Sequence, residues 1–100
     1  MNIVAFAAVN SVVAWATIEE VFADLTKAID YGIVKLAIND GEPKEFDRFN
    51  RGVAHDKLLL GTMTLPQGVN RLTVTIAGAN ENAVKRYMFG LDYLQLVPAK

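Results

Sequence analysis

The stretch Thr17-Ile18-Glu19-Glu20-Val21-Phe22-Ala23-Asp24-Leu25-Thr26-Lys27-Ala28-Ile29-Asp30 reads with two periods, and the choice between them decides the fold. With a helical period, Ile18, Val21, Phe22, Leu25 and Ile29 form one apolar stripe. Thr17 and Glu20 then fit a capping box, and Gly32 stands where such a helix would end. With a period of two, Val21, Ala23 and Leu25 face inward while Glu20, Asp24 and Thr26 face out. Local propensity favours a short helix over residues 18–29, so the flanking sequence has to arbitrate.

Downstream, the flanks read as strands. Tyr31–Asn39 alternates, with Val34, Leu36 and Ile38 as its more apolar side, and Asp40-Gly41 supplies a turn. Leu58–Leu65 and Arg71–Ala77 flank Pro66-Gln67-Gly68-Val69-Asn70. In the second of these, Leu72, Val74 and Ile76 oppose Arg71, Thr73 and Thr75, a pattern suited to a half-solvated strand. Tyr87–Val97 closes the chain with alternating aromatic and aliphatic residues. Breakers at Asp40-Gly41-Glu42-Pro43, Pro66-Gln67-Gly68 and Gly78-Ala79-Asn80-Glu81-Asn82 divide the chain into short segments. Strands of this length with turns at such intervals predict an antiparallel sandwich, not a parallel α/β sheet.

Upstream, residues 1–18 carry no charged side chain. Eighteen residues is the lower limit for a membrane span, but Asn2, Asn10, Ser11 and Thr17 interrupt the run and five of its residues are alanine. Ala14-Trp15-Ala16 fits the spacing of a signal-peptide cleavage site, yet no Lys or Arg precedes the apolar stretch. The segment is read as core: strands Ile3–Val9 and Val12–Ile18 of the same sandwich, turning at Asn10-Ser11. The whole of residues 1–100 is then one domain, the size at which a single core is sufficient.

Composition excludes several functions. The 100 residues are 52% hydrophobic and 21% charged, which is not the profile of a disordered chain. Ten basic residues against eleven acidic ones, spread along the sequence, give neither a nucleic-acid footprint nor a polybasic membrane patch. With no cysteine there is no disulfide framework or thiolate metal site. No Gly-rich strand-to-helix turn marks a dinucleotide site.

Two segments, Leu25-Thr26-Lys27-Ala28-Ile29-Asp30-Tyr31-Gly32-Ile33-Val34 and Gly78-Ala79-Asn80 with Ala83-Val84-Lys85-Arg86-Tyr87-Met88-Phe89-Gly90-Leu91-Asp92-Tyr93-Leu94, flank a Gly68-x-Asn70-x-Leu72-x-Val74-x-Ile76 strand. In this order and spacing, over residues 20–97, they resemble the jelly-roll, carbohydrate-binding-module-like domains appended to secreted bacterial glycoside hydrolases, especially proteins of the DUF2961 type. The resemblance implies an all-β chain, an antiparallel β-sandwich of jelly-roll type, with residues 20–28 as a strand and not a helix. It also implies a non-catalytic accessory module, extracellular or periplasmic, with carbohydrate or a catalytic glycoside hydrolase domain as partner. Such sandwiches have more strands before the segment beginning at Leu25, and here Met1–Ile18 stand in that place. The competing expectation is a structural module whose apolar N-terminal segment pairs with a second copy in a homo-oligomer.

The chemistry of the residues fits binding better than catalysis. The lone histidine, His55, precedes Asp56 and reads as a polar loop residue; Ser11, the single serine, lies in no nucleophile motif. Among Glu19, Glu20, Asp24, Asp30, Asp47 and Asp56 no spacing pairs two carboxylates across a sugar, so no catalytic residue is expected. A structural calcium would draw on Asp40-Gly41-Glu42 and Asp47, residues that equally make an ordinary turn. Asp92 reads as structural, an acid in an apolar strand that needs a partner. Carbohydrate recognition requires rings to stack on and amides or carboxylates to bond hydroxyls. Phe46, Asp47, Arg48 and Phe49 supply both in one expected loop, and Asn80, Asn82 and Tyr87 cluster before the last strand.

Overall fold

The computed structural model describes residues 4–11, 17–66 and 68–99. Seven strands run β1 (Val4–Ser11), β2 (Thr17–Lys27), β3 (Ile33–Ile38), β4 (Lys44–Asp47), β5 (Ala54–Leu65), β6 (Gly68–Gly78) and β7 (Leu91–Pro98). They form two antiparallel sheets, β1-β6-β3-β4 and β5-β2-β7. The pairings of β1 with β6, β2 with β5 and β3 with β4 nest inside one another, as in a single long ribbon wound over itself. Joining of the ribbon through β3 and β6 completes a jelly-roll sandwich, to which β7 adds beside β2.

The decisive stretch is β2. No helix occurs among the described residues, and the helical reading of 18–29 is overturned. Val21 and Leu25 belong to both patterns, which is why the sequence is ambiguous there. The discriminating residues are Ala23, fully buried at 0%, and Ile29, 42% exposed beyond the strand end. β2 is the centre of its sheet, paired with β5 on one side and β7 on the other, so both rows of its backbone groups are hydrogen-bonded. That satisfaction, together with burial of the Val21/Ala23/Leu25 face, outweighs local helix propensity.

The alternation in β3 and β6 is as expected. Val34, Leu36 and Ile38 and Leu72, Val74 and Ile76 all point into the core, where they meet Val21, Leu25, Leu60 and Leu65. Each large aliphatic side chain buried this way contributes roughly 1.5–3 kcal/mol of transfer free energy. β1 pairs with β6 over eight positions, Val4↔Thr75 to Ser11↔Gly68. Asn10 and Ser11 are therefore paired strand residues and not a turn; the expected strand Val12–Ile18 lies mostly outside the described residues, β2 beginning at Thr17.

The last strand starts at Leu91, four residues later than the alternation predicts. Tyr87 has a positive φ of 55°, which breaks extension, and residues 79–90 fold as a loop against residues 26–32. Thr26 N donates to Gly90 O (3.0 Å), Gly32 N to Met88 O (3.1 Å) and Met88 N to Asp30 O (3.0 Å). A Cβ on Gly90 would lie 3.1 Å from Tyr31 Oη and 3.2 Å from Thr26 Cβ, so those side chains would have to give by a few tenths of an ångström to admit one.

Candidate functional site

The outer face of β5-β2-β7 carries an unusual concentration of functional groups. On β2 the inward residues are Val21, Ala23 and Leu25, so Asp24 points away from the core. Opposite it stand Lys57 of β5 and Tyr93 of β7. Asp24 is nevertheless only 4% exposed, because neighbouring side chains cover it. His55 Nδ1 lies 2.9 Å from Asp24 Oδ1 and 3.9 Å from Asp92 Oδ2. Asp92 reaches this face through a β-bulge. Asp24 pairs with Tyr93 and Leu25 with Leu91, which leaves Asp92 as the extra residue and sets it beside Tyr93 on the outside.

Tyr93 is 48% exposed and stands across from Asp24 in the β2–β7 pairing. Desolvation, and then the charges of Asp24 and Asp92, push the Tyr93 hydroxyl above its ordinary pKa, so it remains a donor. One row further along, Phe22 pairs with Gln95. The Lys57 ammonium sits 5.4 Å from the centroid of the Phe22 ring and donates to Gln95 Oε1 at 2.8 Å. Leu59, 42% exposed, lies across from Phe22. This surface thus offers two rings, an amide, an ammonium, an imidazole and two carboxylates.

The residues proposed from sequence divide into two sets. Asp47, Asn80 and Asn82 come together at the end of the sandwich where β2 stops: Asn80 Nδ2 donates to Asp47 Oδ2 (2.9 Å) and Asn82 N to Asn80 Oδ1 (2.9 Å). Phe49 joins them, its backbone N–H donating to Asp47 Oδ1 (2.9 Å), with the Arg51 guanidinium 5.7 Å from its ring centroid. Phe46 and Tyr87 are half-buried and pack against the core. Arg48 is 3% exposed; its Nη2 donates to Leu25 O (3.0 Å) and to Asp56, so its guanidinium ties the end of β2 to the start of β5. Lys27 Nζ approaches the same carboxylate at 3.4 Å.

For a cation, the described residues bring together one group of three ligating side chains, Asp24, His55 and Asp92, with ligand atoms all within 4.8 Å of one another. Asp40, Glu42 and Asp47 form no such group: the Asp40 carboxylate is exposed beside Arg71 (3.6 Å), and that of Asp47 is engaged with Asn80. A cleft of about 370 Å³ opens between β3 and β5, floored by Leu36, Ile38, Leu60 and Leu65. The sequence reads His55 as a loop residue and Asp92 as a structural acid, but His55 lies in β5, paired with Thr26. The one hint of the cluster was an acid in the middle of each of two strands, since strand pairing, not local spacing, supplies the partners.

No protein-family model matches the chain, and no curated protein matches it.

Proposed function

We propose that this jelly-roll sandwich is a non-catalytic carbohydrate-recognition module and that the outer face of β5-β2-β7 is its binding surface. The observation that carries the reading is the half-exposed Tyr93 standing on the outer sheet face among hydrogen-bonding groups. Sugars present apolar C–H faces that stack on such rings, and hydroxyls that bond carboxylates, amides and ammonium groups. Lys57 and Gln95 offer the last two one row from Tyr93, and Phe22 lies diagonally across from it. The Asp47/Asn80/Asn82/Phe49 end of the sandwich carries similar groups, but its carboxylate and amides are bonded to one another. The resemblance to accessory domains of secreted glycoside hydrolases agrees with this reading and implies an extracellular or periplasmic setting beside a catalytic domain.

A glycan array followed by affinity measurement on the best ligand tests it. Tyr93→Ala is expected to lower affinity at least about tenfold, the effect of losing roughly 1.4 kcal/mol of stacking. Phe49→Ala is expected to leave affinity within about twofold. Loss with Phe49→Ala alone would move the site to the loops. An array without binding, combined with a concentration-dependent dimer by light scattering, would favour an oligomerisation module instead.

A further inference from the structure

We infer that Asp24, His55 and Asp92 form a binding site for a single divalent transition-metal ion of the zinc class. The inference does not depend on carbohydrate recognition. It begins with the buried carboxylate of Asp24. A carboxylate withdrawn from water requires compensating charge or hydrogen bonds. The residue that strand register places across from it, Lys57, turns its ammonium to Gln95 and the Phe22 ring instead. The group aimed at Asp24 is an imidazole, a metal ligand, with Tyr93 paired beside it on β7.

The second step is Asp92. Without the bulge in β7 this residue would alternate away from Tyr93; with it, a second carboxylate faces the same imidazole nitrogen. With the ring neutral, the three side chains bring two negative charges to one point, which a dication neutralises. Zinc–nitrogen and zinc–oxygen bonds of ~2.0–2.2 Å place tetrahedral ligand atoms roughly 3.3–3.6 Å apart. The His55 Nδ1 separations of 2.9 and 3.9 Å straddle that value, and all three ligand atoms lie within 4.8 Å of one another.

Donor chemistry selects the ion. One nitrogen and two oxygens suit zinc, whereas calcium takes six to eight oxygens. Ligation through Nδ1 leaves the ring proton on Nε2. His55 and Asp92 side chains are 65% and 50% exposed, so a fourth position opens to solvent, while buried Asp24 anchors the site to the central strand. Tyr93, paired with Asp24 across β2 and β7, stands where an outer partner of that ligand would sit.

Calorimetric titration of the chelator-stripped chain with zinc chloride, with calcium chloride as control, tests the site. One zinc per chain is expected, with no heat from calcium. His55→Gln and Asp92→Asn, both at exposed positions, are each expected to weaken binding more than about 100-fold, and Tyr93→Phe by about tenfold. In the wild-type chain, zinc is expected to move the ¹⁵N resonance of Nδ1 of His55, the single histidine. Absence of zinc binding, zinc binding retained by either His55→Gln or Asp92→Asn, or an unmoved Nδ1 resonance at saturation would overturn the assignment.

Discussion

Arg48 shows how a residue with an inviting side chain is spent on the fold. Its guanidinium is enclosed by the Leu25 and Thr26 carbonyls and the Asp56 carboxylate, while its own backbone receives Ala28 N–H and donates to Gly32 O. Arg48→Ala would strand two carbonyls and a carboxylate. The carboxylate is 40% exposed and recovers water, so a loss of about 2 kcal/mol is expected, read from urea unfolding. The same pair predicts acid sensitivity. Burial alone would raise the Asp56 pKa, but the Arg48 hydrogen bond and charge, then Lys27, outweigh it and hold it below the ordinary 3.8. A carboxyl whose pKa is depressed on folding contributes stability above its unfolded value, and that contribution is lost as pH falls through the folded value. The stability gap between wild type and Asp56→Asn is therefore expected to be constant above about pH 5 and to close below 3.8, in urea midpoints measured against pH. From sequence, Arg48 was a loop cation near two phenylalanines, and nothing local distinguished a ligand contact from a buried tie.

At the level of strands, the bulges determine what the surface displays. In β5, Val21 pairs with Gly61 and Phe22 with Leu59, so Leu60 is the extra residue and turns into the core at 5% exposure. Gly61 bears a φ of +144°, a conformation that side chains resist. Gly61→Ala is expected to cost about 1–3 kcal/mol, measured by thermal or urea unfolding, although its Cβ would meet nothing closer than 3.5 Å. Regular alternation made β3 and β6 legible with their correct inward faces. It failed for β7, because a bulge inserts a residue and resets parity, and because the left-handed Tyr87 delays the start of the strand to Leu91. It left β2 undecided, because Val21 and Leu25, four apart, satisfy a helix and a strand alike. Only pairing on both edges settles it, and that information lies in β5 and β7.

Over the whole molecule, the winding of the ribbon explains why the fold was more legible than the site. Turn spacing and apolar alternation are local, and they are enough to indicate an antiparallel sandwich. The Asp24–His55 contact joins residues 31 apart, and Asp92 arrives from the last strand. No sequence window contains them together; Asn80 and Asn82 stand out as polar turn residues, but their contact with Asp47, the last residue of β4, joins residues 33 apart and is equally invisible in a local window. The central claim is that the outer face of β5-β2-β7 receives a carbohydrate. Its most direct test is backbone-amide NMR of the full chain titrated with a panel of soluble oligosaccharides. The expected result is saturable shifts confined to Phe22–Asp24, Lys57 and Asp92–Gln95. Shifts confined to residues 47–52 and 80–82, or a panel that moves no resonance, would contradict it.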